Sequence, residues 1–236
     1  MRELFSKALG IGDGDVVSLV GSGGKTSLLW RLAEENREKK TLVSTTTKMF
    51  LPPDTHYHHL ITGKNNLQQG CNLFYQKLHN GKISIEDEGL LADLCKQAYL
   101  SLLECDGAKM KCLKGWGAHE PQVPLFTTMT VGVLPVWGLG LPATEDFVHR
   151  LPLFCQVSGG KVRQEISLEH YLSLILHPGG LFGKAVSKRV LFFNLKEERD
   201  LQKLKGGFLE KLPDDLLVLA GNVKVGTIFV LRDVGE

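Results

Sequence analysis

The sequence predicts an α/β fold, a doubly wound and mostly parallel sheet carried by a single domain over residues 1–236. Three observations carry that expectation. Apolar, β-branched runs of strand length alternate with segments of helical spacing along the whole chain. The first strand passes through a glycine cluster directly into a helix, Val16 to Leu32 reading VVSLVGSGGKTSLLWRL. That helix also separates the first two strands, which forces them to run parallel.

Residues 3–9 fit a short helix closed by Gly10, and Gly12, Asp13 and Gly14 supply the turn into a buried strand over 16–20. Gly21-Ser22-Gly23-Gly24-Lys25-Thr26-Ser27 follows. Glycines let successive N–H groups point inward, and a helix starting near Lys25 directs its positive dipole end to the same place. Such a loop suits a phosphate: Lys25 would reach the β- and γ-phosphates and the Thr26 hydroxyl would ligate Mg²⁺, with Ser27 as its competitor. The spacing is the short form G-x-x-G-K-T, because Leu19 stands where the longer G-x-x-x-x-G-K-[ST] motif needs its first glycine.

The helix is expected over 25–37 with a basic last turn, then a strand over 41–48. Its carboxyl end brings Thr45, Thr46, Thr47 and Lys48 to the rim where open α/β sheets bind ligands. Threonines favour strands in any case, and the position beside the loop is what marks them. Residues 52–80 are less regular, with short strands expected near 59–61 and 73–75. His56, His58 and His59 there fit a solvated surface better than a metal site.

A helix over 86–98 leads to an apolar strand that ends in Glu104-Cys105-Asp106-Gly107. Carboxylates at that end are what Mg²⁺ on a triphosphate requires. The loop after it carries Lys109, Lys111, Lys114, Trp116, His119 and Glu120, residues suited to substrate contact. Strands are expected over 128–135, 188–195, 216–219 and 227–231, and helices over 167–176 and 196–212. Asn194 and Glu197 only partly match an N-K-x-D guanine reader, since leucine and glutamate replace the lysine and aspartate; Asn194 is a candidate base contact without selectivity for GTP.

With 43% hydrophobic and 23% charged residues, the composition is that of a globular protein. A net charge of +2 gives no reason to expect nucleic acid as a partner. No apolar run approaches a membrane span and charges interrupt residues 1–10, so a cytoplasmic location without membrane partners is expected. Five cysteines without a C-x-x-C pair indicate neither a disulfide framework nor a zinc knuckle.

Together, VGSGGKTSLLWRLAEE, STTTKMFLPP, LLECDGAKMKCLKGWGAHEP, VHR and LHPGG resemble, in order, the selenium-dependent hydroxylase accessory protein family known as YqeC. The resemblance implies a P-loop NTPase-type fold and a part in maturing selenium-dependent molybdenum hydroxylases, with such an enzyme or its cofactor-assembly proteins as partner. Residue by residue it marks Gly21, Gly23, Gly24, Lys25 and Thr26 as the phosphate loop. It also marks Glu104, Asp106 and Gly107 as the acidic strand end, and His119, Glu120, His149 and Arg150 as lining the site.

The expected activity is Mg²⁺-dependent hydrolysis of ATP or GTP. Lys25 and the loop amides stabilise phosphoryl charge, Thr26 with Glu104 or Asp106 holds the metal, and Thr47, His119 or Arg150 orients water or an acceptor. Two alternatives stand beside it. One is an ATP-dependent ligase or kinase acting on a small molecule, since the compact loop also resembles that of the Mur ligases. The other is a non-catalytic adaptor switched by nucleotide.

Overall fold

Strand β1 (Asp15–Gly21) occupies the centre of a nine-stranded sheet among the residues described by the computed structural model, which are 4–64, 66–204 and 207–234. The other strands, numbered along the chain, are β2 (Thr41–Thr45), β3 (His59–Ile61), β4 (Cys71–Phe74), β5 (Leu100–Glu104), β6 (Met129–Pro135), β7 (Lys188–Asn194), β8 (Leu217–Asn222) and β9 (Thr227–Arg232). Across the sheet their order is β9-β8-β7-β6-β1-β5-β2-β4-β3. Seven of the pairings are parallel, and β9 returns antiparallel on β8.

Both faces of the inner strands of this sheet are buried, which explains why they read as continuous apolar runs rather than as an alternation. Val17 and Leu19 of β1 pack on one side with α1 (Phe5–Leu9) and α2 (Lys25–Glu35). Val16 and Val20 face the other side, against α3 (Glu88–Cys95), α4 (Leu151–Ser158) and α5 (Leu168–Leu176). Leu28, Leu29 and Leu32 seat α2 with no exposure, and at about 1.5–3 kcal/mol per buried side chain they fix where that helix begins.

The topology selects one crevice. From β1 the chain crosses by α2, on one face, to β2; from β5 it crosses the other way, over the opposite face, to β6. Strands β1 and β5 are neighbours, with Leu19 opposite Glu104, so their two outgoing loops part at the carboxyl rim and leave a cleft between them.

Several expectations need correction. Among the described residues, the stretch 196–212 expected as a helix holds two 3₁₀ segments, Glu198–Leu204 and Leu209–Lys211, and residues 205–206 between them lie outside the described set. Asp200 draws the N–H groups of Lys196 and Glu197 onto its own carboxylate, and Gly207 takes a left-handed conformation (φ 75°), so no α-helical run forms. Helix α4 was not anticipated from the sequence. Helix α2 stops at Glu35, short of the basic stretch 37–40, and α3 runs over Glu88–Cys95 rather than 86–98, its start set by Asp87, which accepts the Leu90 N–H. Glu3 of the first expected helix lies outside the described residues. Residues 49–84 also form a small antiparallel sheet of Met49–Phe50, Lys77–His79 and Lys82–Ser84, turned at Asn80-Gly81.

Candidate functional site

The glycine loop takes a conformation that side chains would prevent. Gly21, Gly23 and Gly24 have φ of 101°, 65° and 141°. A Cβ on Gly21 would run into the Val133 carbonyl, one on Gly23 into the Pro135 ring, and one on Gly24 into the Asn194 amide. Asn194 Nδ2 also donates to Gly23 O at 2.8 Å, so this buried side chain braces the loop from β7. Asn194 thus contacts the loop itself.

Helix α2 opens on Gly24 with no side-chain cap and no acidic residue in its first turn. By contrast, Asp87 caps α3, and Ser167 with His170 forms a capping box on α5. The uncapped N–H groups of α2 and its positive dipole end therefore face the rim without a carboxylate from their own turn.

Lys25 lies back on the loop it follows. Its ammonium is buried, donates to Gly21 O at 2.7 Å and stands 3.0 Å from Asp106 Oδ1. Asp106 itself has no exposure. Its Oδ2 accepts from Gly21 N–H at 3.0 Å and the Trp116 indole N–H at 2.9 Å, and the Lys114 ammonium is 3.3 Å away. Burial raises the Asp106 pKa, but the two ammoniums and the Gly21 N–H outweigh it and hold the carboxyl below the ordinary carboxylate value. For Lys25, burial works against the charge, and Asp106 followed by Glu104 overcomes it, leaving the ammonium harder to deprotonate than usual.

Glu104 shifts the other way. Burial is the leading cause of a raised pKa, which the Lys25 charge and the Thr26 hydrogen bond only partly offset. Its Oε2 accepts the Thr26 hydroxyl at 2.6 Å, and Thr26 is exposed. A hydroxyl beside a carboxylate at a solvent-facing rim is a hard oxygen pair of the kind Mg²⁺ takes, with water and phosphate oxygens completing its shell. Asp106 is enclosed by four donors, so of the two carboxylates Glu104 fits the metal better.

From Asp106 the charges alternate outward. Lys114, fully buried, donates to Gly107 O at 2.6 Å and to Glu120 Oε2 at 2.7 Å. Glu120 receives Arg150 in a two-point contact of 2.5 and 3.0 Å. Burial pushes its pKa up, yet Arg150 and Lys114 bring it below the ordinary value. Arg150 is thus joined to the loop through Glu120, Lys114 and Asp106 in turn.

The structure does not bring every expected residue into this cluster. Thr45 Oγ1 donates to Glu104 O at 2.8 Å and Thr46 Oγ1 to Gln122 O at 2.7 Å, so these threonines fasten β2 to the acidic strand end. Thr47, half-buried, gives its N–H to Thr45 Oγ1. Lys48, Ser27 and His119 are exposed. His149 sits opposite Lys114 in a two-residue parallel pairing, and its pKa is lowered by burial and then by Arg150 and Lys114. Ser22 Oγ is buried without a hydrogen-bond partner at the loop. His58 accepts from Cys71 N–H and His59 meets Gln69 O, and no group of three or more metal-binding side chains occurs among the described residues. Burial pushes the Cys71 and Cys105 thiols up to about 12, which makes them neutral core side chains.

Sequence reasoning placed Lys114 and Trp116 on a substrate-contacting loop, whereas both are buried behind Asp106. The signal for them was slight: L-K-G-W-G is apolar around its lysine, and Gly115 has no room for a side chain against Leu153 and Phe154. Two grooves are lined by residues outside this cluster, one beside α3 and one just past the ends of β6 and β7.

No helix among the described residues is long and apolar enough to cross a membrane. The family model described as YqeC protein matches residues 17–152, which span the glycine loop, the acidic strand end and Arg150. A protein of Escherichia coli (strain K12) named "Uncharacterized protein YqeC" is 30% identical over 193 residues, covering 76% of this chain and 75% of that protein. No solved structure matches the chain. The chain belongs to the YqeC family.

Proposed function

We propose that this protein is a P-loop-type nucleoside triphosphatase that binds ATP or GTP with Mg²⁺ at the β1–α2 loop. In this reading it uses hydrolysis to drive or time a step in preparing a selenium-dependent molybdenum hydroxylase. One observation carries the nucleotide part: a buried lysine folded onto a three-glycine loop at an uncapped helix start, with a carboxylate and a hydroxyl opposite. The hydroxylase part rests on the family resemblance and makes that enzyme, or its cofactor-assembly proteins, the partner.

The residues divide the work as follows. The loop N–H groups and the first turn of α2 take the phosphate oxygens, and Lys25 exchanges Gly21 O for a phosphate oxygen while staying near Asp106. Mg²⁺ at this site would neutralise part of the phosphate charge. Thr26 and Glu104 would hold it, and a cation facing Glu104 would favour the ionised form that burial disfavours. Asp106, clamped by Gly21, Trp116 and Lys114, keeps Lys25 charged and aimed. Thr47, tied to Thr45 at the end of β2, and Arg150, linked to the loop through Glu120, Lys114 and Asp106, are the candidates for orienting water.

Phosphate release from Mg-ATP and Mg-GTP, with and without candidate acceptors, tests this. Turnover without any acceptor that disappears in Lys25→Ala supports hydrolysis. Turnover that demands an acceptor favours a ligase or kinase, and tight binding with negligible turnover favours the adaptor. Equal nucleotide affinity in wild type and a folded Lys25→Ala variant refutes the assignment.

A further inference from the structure

The loop has two unlike flanks. On the β5 side, Asp106, Lys114 and Trp116 fill the space with buried charge and a buried ring. On the β6–β7 side, the two struts that hold the loop, Pro135 against Gly23 and Asn194 on Gly23 O, each stand two residues before a side chain of an open groove: Trp137 and Lys196. Parallel neighbours β6 and β7 end in register there, with Pro135 opposite Asn194. The groove has a volume of about 620 Å³, within the roughly 300–1,000 Å³ of small-molecule sites. Trp137 is half-buried, and the Lys196 ammonium lies 5.4 Å from its ring centroid, so an aromatic ring and a cation line the groove beside the phosphate loop.

We infer that this groove binds the base of a purine nucleotide, stacked on Trp137, with its phosphates in the adjoining glycine loop. The inference rests on the phosphate site proposed above and adds what the organic part of the ligand is and where it lies. Asp200, the groove's buried carboxylate, already accepts the N–H groups of Lys196 and Glu197 at 3.1 and 3.2 Å and lies 2.9 Å from Lys203. Asp200 is therefore already committed to these partners, and the proposal places the base on the Trp137 ring, a stacking surface that accommodates adenine and guanine alike.

Affinities of Mg-ATP, Mg-GTP and inorganic tripolyphosphate for wild type, Trp137→Ala and Trp137→Phe test it. Expected are ATP and GTP affinities within about tenfold of each other and a loss of about 5- to 150-fold for both in Trp137→Ala. Tripolyphosphate binding should be unchanged there, and Trp137→Phe should recover most of the nucleotide affinity. Unchanged nucleotide affinity in Trp137→Ala overturns the inference, as does an equal loss of nucleotide and tripolyphosphate, which would make Trp137 a support for the loop alone. Wild type that binds tripolyphosphate as tightly as ATP also overturns it while leaving the phosphate site intact. Wild type that binds neither removes both.

Discussion

Replacing Asp106 by asparagine keeps its shape and removes its charge, which isolates what the carboxylate does. Two ammoniums face it, Lys25 at 3.0 Å and Lys114 at 3.3 Å, and two N–H donors enter Oδ2. An asparagine amide must turn its own NH₂ either toward Lys25 or toward the Gly21 and Trp116 donors, and either way donor meets donor. Lys114 still has Glu120 at 2.7 Å, so the uncompensated charge is that of Lys25. Removing one partner of a buried ion pair costs about 3–5 kcal/mol. At about 2–4 °C per kcal/mol for a chain of this size, Tm should fall by about 6–20 °C. Calorimetric unfolding at neutral pH, without and with Mg-ATP, reads this. A bound polyphosphate gives Lys25 a new counter-charge, so ligand should raise Tm more in Asp106→Asn than in wild type at equal saturation. Should the variant fold too poorly to measure, adding Lys25→Met removes the stranded charge and should restore part of the loss. A Tm within about 2 °C of wild type, or no recovery in the double variant, would refute the reasoning.

Glu104→Gln should leave the Tm of the free protein equal or higher at neutral pH, because burial penalises the ionised carboxylate, while Mg²⁺ ceases to strengthen nucleotide binding; a lower Tm would contradict this. Asp106 and Glu120 have folded pKa values below their unfolded ones, so their stabilisation is present above the ordinary carboxylate range near 4 and is lost as pH falls through the folded values. Glu104 has the opposite sign, costing stability as pH rises through its raised value; denaturant midpoints from pH 7 to pH 3 should accordingly drop below about 4, and a flat profile there would count against the two pairs. Asn194→Ala should weaken ATP and inorganic tripolyphosphate alike, since its amide holds Gly23, and a loss confined to ATP would restore it as a base contact. Gly24→Ala should cost about 1 kcal/mol or more and abolish phosphate binding, as φ of 141° and the Asn194 amide both oppose a methyl group; retained affinity would show that the loop tolerates collapse.

How much of this the sequence disclosed follows from how local each signal is. Strand, glycine loop and Lys-Thr lie within one continuous stretch, so β1, α2 and the loop could be read directly, as could the acidic end of β5. The parallel order followed from the helix between β1 and β2. Lys114 could not be recognised as a buried ion, because its burial depends on Glu120, Asp106 and Gly107 converging from a loop with no period. Asn194 as a brace was equally hidden, since its partner Gly23 meets it only through two strand pairings, β1 with β6 and β6 with β7. Helix α4 has no capping signal in the sequence: Arg150 before it offers no side-chain cap, and its left-handed conformation is visible only in the fold. The late 3₁₀ segments were taken for a helix because the composition of 196–212 is helix-favouring, while Asp200 and Gly207 decide the backbone.

The affinity of Mg-ATP for the wild-type protein and for folded Lys25→Ala, measured by titration calorimetry, tests the central claim most directly. Losing a charge-assisted contact of about 1.5–3 kcal/mol should weaken binding by about 10- to 150-fold. A wild type that binds no nucleoside triphosphate, or a variant that binds it equally well, would contradict the claim that the loop between β1 and α2 is an anion site.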